Sequence, residues 1–386
     1  MGKIELDHTG AGSGVTLSSD GTDLLLDGAA IGGGGGAALE LYAENPSSPT
    51  APSATGANAV AIGSGSGGAA TASGNESTAV GPDAIASGYA SFAASYSKAT
   101  SDFSFSAAGG NAQAYGAQGY GSVAIGGGSN ARASLSVALG QSSFTEAGAN
   151  SVAIGVSYAS GTASFAAAIT NNTATYGATG ANSVAMGQSA KATAAWSFAY
   201  GRNSQSTSSY SVVLGGYSSS ATKDYAYAFG HRASADVIGK YAYGVYSSAD
   251  VGTSQGGYYV LALNTTDATS SSLVTNGGTN AASTTNQIIL PNNSAYAFHG
   301  TIVARQQASQ GTASAAWKIE GLIRREGSAG TTVLVNSATT VLDNTPAWGM
   351  ALSADTTNGG LKIEATGAAA TNIRWVATIN TSEVTY

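Results

Sequence analysis

Residues Ser122–Gly126 read SVAIG, and the same five residues return at Ser151–Gly155. Close variants are SVALG at Ser136–Gly140, SVAMG at Ser183–Gly187, SFAYG at Ser197–Gly201 and SVVLG at Ser211–Gly215. More worn copies extend from AVAIG at Ala59–Gly63 to KYAYG at Lys240–Gly244. The closing residues fall at positions 63, 81, 95, 108, 126, 140, 155, 168, 187, 201, 215, 230 and 244, so the unit is 14 residues with small departures. Self-similarity at a short fixed period is the mark of a solenoid. Longer gaps precede Gly126 and Gly187, where AYGAQGYG (Ala114–Gly121) and TYGATGAN (Thr175–Asn182) read as related inserts. The 18-residue gap from Gly63 to Gly81 fits no such scheme.

Within each phrase large apolar residues alternate with small ones, the period-2 signature of a strand with two unlike faces. The closing glycine permits a turn that a Cβ would resist. A second, weaker alternation lies between phrases, as in SNARAS at Ser129–Ser134 and QSAKAT at Gln188–Thr193. Two brief strands and two turns make one rung of a parallel coil, and thirteen rungs at the inter-strand spacing span roughly 60 Å. The large residues are expected to fill the coil: Val60, Ile62, Val123, Ile125, Val152, Ile154, Val184 and Met186. The small face, with Ala124, Ala138, Ala153 and Ala185, is expected to pack closely on the same face of sister chains, about a trimer axis.

The repeat resembles the SVAIG-type head repeat of trimeric autotransporter adhesins, the YadA-like left-handed parallel β-roll that also occurs in bacteriophage fibres. The likeness covers roughly residues 58–244, and its departures are the missing glycines at Ser95, Ala108 and Ala168 and the uneven inserts. It implies an all-β, homotrimeric rod with a structural role. Of its two settings the phage fibre is the expected one, on tail, neck or head. The alternative is the passenger of a bacterial trimeric adhesin, and a tailspike polysaccharide hydrolase is the third reading.

Composition narrows the field. Only 9% of residues are charged, and the formal charge of −7 is concentrated in residues 1–55, which hold Lys3 against seven acidic residues. The chain offers no basic patch to track phosphates, so a nucleic-acid partner is not expected. There is no cysteine, hence no disulfide and no thiolate chemistry. The start, MGKIELDHTG, lacks the apolar core of a secretory signal, and no apolar run is long enough to span a bilayer. Membrane insertion is therefore not expected, and a virion surface is the expected location.

Four regions follow. Residues 1–36 hold strand-like pieces at Lys3–Leu6, Gly14–Ser18 and Thr22–Gly28 and end in the glycine run Gly32–Gly36; their acidity fits attachment to a virion protein. Residues 37–55 include PSSPTAPS (Pro46–Ser53) and read as an extended linker. Residues 56–250 are the roll. In residues 251–386 the period gives way to eight strand-like segments separated by Gly, Asn, Ser and Thr, the pattern of an antiparallel β-sandwich or jelly roll. This unit is expected to meet a host-surface polysaccharide or protein.

Little chemistry is legible. Glu76, Asp83, Asp102, Glu146, Asp224, Asp236 and Asp250 share no phase of the rung, so no acid–base pair for glycoside cleavage stands out. His8, His231 and His299 lie far apart, and no metal spacing or nucleophile motif is present. Neither a cofactor nor an enzymatic activity is expected. Exposed aromatics suit carbohydrate recognition, and Trp348, in the loop-like NTPAWG, is the first candidate contact, followed by Tyr258 and Tyr259.

Overall fold

A computed structural model describes residues 50–386 except 64–67, 108–114, 168, 171–174, 247–249 and 345, together with four short strands nearer the start. Those four, Ile4–Leu6, Val15–Ser19, Leu24–Leu26 and Ala29–Ala30, form one antiparallel sheet in chain order. The first three fall where strand-like pieces are expected. The glycine run and most of the 37–55 linker lie outside the described residues.

From Ser53 onward the chain winds as a parallel solenoid. Every repeat phrase supplies one strand, from Val60–Ile62 to Tyr241–Gly244, and every interval supplies a two-residue strand, from Ser53–Ala54 to Ser234–Ala235. The short strands stack into a 13-stranded sheet, and the longer ones stack into a second sheet opposite it. Register is kept from rung to rung: Ala124 pairs with Ala138, then Ala153, Ala166, Ala185 and Ala199 in turn. The closing glycine earns its place at Gly126. Its φ is +117°, and a Cβ there would stand 2.6 Å from the Gly140 carbonyl oxygen of the next rung.

The interior reverses the expected arrangement. Ala124, Ala138, Ala153 and Ala185 are fully buried between the two sheets. Val123, Val152, Val184 and Met186 point outward and are half-buried, as is Ile62, while Val60, Ile125 and Ile154 are exposed. Neither the assigned core nor the assigned packing face stands. The physical reason is the tightness of the turns. Met186 and Lys191, the ends of consecutive strands, are separated by four residues, which hold the two sheets so close that small side chains fill almost every inward position, Thr145 and Val213 being larger exceptions. Four small residues fill one rung, as with Ser183, Ala185, Ala190 and Ala192, all 0% exposed.

The buried serine that opens several of the phrases is satisfied locally. Ser136, Ser183, Ser197 and Ser211 donate through Oγ to the carbonyl three residues earlier, on Ala133, Gly180, Ala194 and Ser208, at 2.6–2.7 Å. A hydroxyl bonded this way escapes the penalty of an unpaired buried polar group and pins the preceding turn.

Strand bounds also explain the uneven repeat. From the end of a phrase strand to the next short strand is five residues at Ile125–Asn130 and at Leu139–Phe144. It is nine at Ile62–Thr71 and Ala107–Gly116, and ten at Ala167–Gly177. All three long gaps, including that from Gly63 to Gly81, thus enlarge the same turn. AYGAQGYG and TYGATGAN are not inserts: they contain the ordinary short strands Gly116–Ala117 and Gly177–Ala178.

Beyond the roll the sheet of phrase strands does not stop. Its last member, Tyr241–Gly244, pairs antiparallel with the start of Ser254–Thr265, which pairs along its whole length with the final strand, Ile373–Thr385. The order continues through Ser294–Gln306 and Ser314–Arg325 to Val333–Asp343 at the edge. A smaller sheet of Ser270–Ser272, Ile288–Ile289, Gly349–Asp355 and Gly360–Thr366 packs against it. Between them lies a conventional core that includes Leu261, Leu290, Ile302, Ile319, Ile363, Trp317 and Trp375. The sandwich is therefore built onto the roll rather than tethered to it, and seven of the eight expected segments form strands of three residues or more; Ser270–Ser272 was not foreseen.

Interior and exterior assignments are separable by mutation. Ala153→Leu should lower stability by about 1–3 kcal/mol in thermal or denaturant unfolding, whereas Ile154→Leu should change it by less than about 1.5 kcal/mol. Equal tolerance at the two neighbours would place the packed interior elsewhere.

Candidate interaction surface

With the alanines inside, the outward face of the phrase sheet carries two parallel apolar rows. One runs Val123, Val137, Val152, Phe165, Val184, Phe198, Val212, Tyr227 and Tyr241 in register. Its companion holds Ile125, Leu139, Ile154, Met186, Tyr200, Leu214, Phe229 and Tyr243. Parallel in-register pairing places each ring over the next. Phe92 and Phe105 stack at 5.0 Å, Tyr227 and Tyr241 at 4.4 Å, and Phe229 and Tyr243 at 5.3 Å. Ile154 is 40% exposed and Tyr200 52%, so within one chain this face is largely uncovered. A continuous apolar strip of this extent marks an interaction surface.

The opposite sheet is different in kind. Its outward positions include Lys98, Lys191, Gln205, Ser220 and Ser234, and Arg132 there lies 3.3 Å from Glu146 and over the Phe144 ring. Tyr158 hydrogen-bonds to Glu146, and burial together with that bond pushes its phenol up to about 12. Polar, charged and locally paired, this side is suited to water.

The junction between roll and sandwich holds a buried charge cluster that sequence reasoning missed. Lys240 occupies the phrase position that is serine in most copies, on the last rung, where no further rung covers it. Its Nζ donates to Glu383 Oε2 at 2.9 Å and to Asp236 Oδ1 at 3.1 Å, and it lies over the rings of Tyr259 and Tyr296. Glu383 also accepts from Gln255, Tyr259 and Thr381 at 2.7–2.9 Å. Burial alone would push the Glu383 carboxyl up; Lys240 and the hydrogen-bond donors outweigh it and hold the carboxyl below its ordinary range. Burial would likewise lower Lys240, yet Asp236, Tyr296 and Glu383 keep it well above its usual value. A lysine in a serine position was the available signal.

Two of the three expected aromatic contacts are not surface features. Trp348 is 6% exposed, packs 5.7 Å from Trp375, and donates its backbone N–H to Asn344 Oδ1 at 2.9 Å. Tyr259 is fully buried in the junction cluster, because it lies on the inward-facing phase of its strand. Tyr258 is half-buried, edge-on to Tyr241 at 5.9 Å. Among the described residues no group of three or more His, Asp or Glu is placed to hold a metal, and no helix is long and apolar enough to cross a membrane.

Comparison with known proteins bears on the roll. The YadA head domain repeat family matches residues 67–94, 117–143, 133–157 and 178–204, together about a quarter of the chain. No curated protein matches the chain. Among solved structures, the tailspike protein gp49 of Acinetobacter baumannii bacteriophage Fri1, a capsular polysaccharide depolymerase, is similar at 8% identity and a TM-score of 0.22 over 84% of this chain. This chain spans 64% of that structure's length. A likeness at that score carries no argument about fold or activity. The chain thus contains YadA-type head repeats folded as a parallel β-solenoid.

The junction generates a pH dependence. Glu383 is depressed on folding, so its stabilisation is complete above its unfolded value near ~4.3 and is lost as pH falls through the lower folded value. Glu383→Gln should destabilise by about 3–5 kcal/mol at neutral pH, by leaving Lys240 buried beside Asp236 alone. It should also flatten the acid limb of a stability–pH profile measured by denaturant unfolding. An unchanged acid limb would show that the cluster does not hold the junction.

Proposed function

We propose that the chain is the subunit of a homotrimeric fibre on a virion, in which the roll is a stiff spacer and the C-terminal unit meets the host surface. One observation carries the fibre reading: the apolar double row on the phrase sheet runs from Val123 to Tyr243 and is left largely uncovered by the chain itself. Identical rows on identical chains are mutual partners, and closed cyclic symmetry covers all of them at once. A rung whose interior is four alanine- and serine-sized side chains buries too little apolar surface to offset the ordering of fourteen residues. Burial of the outer rows supplies the missing part.

The match to YadA head repeats supports an adhesin-like fibre, since that repeat type resembles the heads of trimeric surface adhesins. Placement on a virion rests on the occurrence of the same roll in bacteriophage fibres. A bacterial surface adhesin is the second reading, favoured by the family of the repeat itself. Immunogold labelling of phage particles and of host cells distinguishes them by where the gold lies.

Light scattering on the full chain should return about three times the 37.7 kDa subunit mass. Ile154→Glu, on the outward row, should release lighter species, and Lys191→Glu, on the polar sheet, should leave the mass unchanged. A wild-type monomer would remove the assembly on which the fibre reading depends.

A further inference from the structure

At the end of the large sandwich sheet farthest from the roll contact, strand register sets two arginines side by side. Arg305 stands directly opposite Arg374 across one strand pair, and Arg374 stands opposite Asn264 across the next. All three are exposed on the same sheet face. Like charges in directly opposed positions destabilise a sheet, so the arrangement calls for a counter-charge. Among the described residues no ion pair provides one. Lys318, Arg324 and Lys362 of this unit each lie within 4 Å of a carboxylate, at 3.6, 3.9 and 2.8 Å from Glu320, Glu326 and Glu364. Among the described residues no carboxylate lies within that distance of Arg305 or Arg374.

The two arginines line a cleft of about 450 Å³, whose other residues are Asn264, Thr265, Thr266, Gln306, Gln307, Asn372 and, as the apolar member, Ile373. Its amides are already ordered. Asn372 Nδ2 donates to Gln307 Oε1 at 2.7 Å, the Gln307 and Asn372 backbones are joined at 2.8 Å, and Arg374 Nε lies 3.4 Å from Asn264 Oδ1. Arg305 is steadied by the Thr312 carbonyl oxygen. The volume is that of a small-ligand site. Paired guanidinium groups recognise a planar carboxylate through forked N–H donors, and side-chain amides offer both donor and acceptor to neighbouring hydroxyls.

We infer that this cleft binds the carboxylate of an acidic sugar residue, with Arg305 and Arg374 on the carboxylate and Asn264, Gln307 and Asn372 on the ring hydroxyls. The inference rests on the adhesive reading above and names the class of surface it meets: an acidic polysaccharide. An inorganic anion would engage the arginines but make no use of the amides. An acidic peptide would engage the arginines as well, but its backbone offers the amides no row of hydroxyls, so the hexaglutamate arm of the test separates the two.

The test is calorimetric titration of the full chain with hexagalacturonate, maltohexaose, inorganic phosphate and a hexaglutamate peptide. Hexagalacturonate should bind, weaken with added salt, and lose about 10-fold or more in affinity in Arg374→Gln and all measurable binding in the Arg305→Gln/Arg374→Gln double variant. Lys318→Gln, on the same sheet face, should bind as wild type. Maltohexaose should not bind. Hexagalacturonate binding that survives the double variant, or is absent in the wild type, overturns the site, as does equal or tighter binding of phosphate or hexaglutamate. Retention of the chain on host cells is scored separately. Adhesion without hexagalacturonate binding refutes the site alone, and hexagalacturonate binding without adhesion refutes the adhesive reading alone.

Discussion

The width of the rung governs everything else in the roll. Two sheets joined by turns as short as the four residues between Met186 and Lys191 leave space mainly for methyl and hydroxymethyl groups, with Thr145 and Val213 as larger exceptions. Small side chains are therefore favoured inside, and with the phrase alternating, most of the valines, isoleucines and phenylalanines fall on the outward positions. A globular domain hides its large side chains in its own interior. This coil places them on its exterior, where only another molecule covers them.

That inversion shows what a sequence reading can and cannot extract. Period, strand positions and parallel stacking were legible because SVAIG and its variants repeat their alternation thirteen times. Alternation has no sign, however: it states that two faces differ and leaves open which is inside. Placing Val123 and Ile125 in the core applied the rule that large apolar side chains face inward, and here the inward positions belong to the alanines and serines. The decisive cue is interval length, since turns this short favour a core of small side chains. The same weakness misplaced Trp348, whose Pro-flanked loop reads as exposed but folds back onto Trp375. Arg305 and Arg374, 69 positions apart in sequence, meet only through strand register, which no local pattern encodes.

A parallel coil also needs an end. Here the last rung is continued by an antiparallel strand, so the open edge of the phrase sheet is paired rather than left as a template for aggregation. Lys240 emerges from the final rung into the sandwich and meets Glu383 on the last strand. A buried pair of this kind contributes little net stability, but any misfit of the two parts leaves a charge unpaired. The cluster accordingly sets the register between rod and terminal unit. A sandwich fixed to its shaft in this way holds the Arg305–Arg374 cleft in a defined position relative to the rod.

The account depends on the outer rows being shared among copies of the chain, and the absence of cysteine allows that to be read directly. Spin labels on Ile154→Cys and, separately, on Lys191→Cys should be compared by double electron–electron resonance in the assembled protein. Strong coupling at one short distance from Ile154→Cys, with the modulation depth of three spins, and longer distances from Lys191→Cys are the predicted result. Labels at Ile154→Cys that show no coupling between chains, or lie farther apart than those at Lys191→Cys, would contradict it.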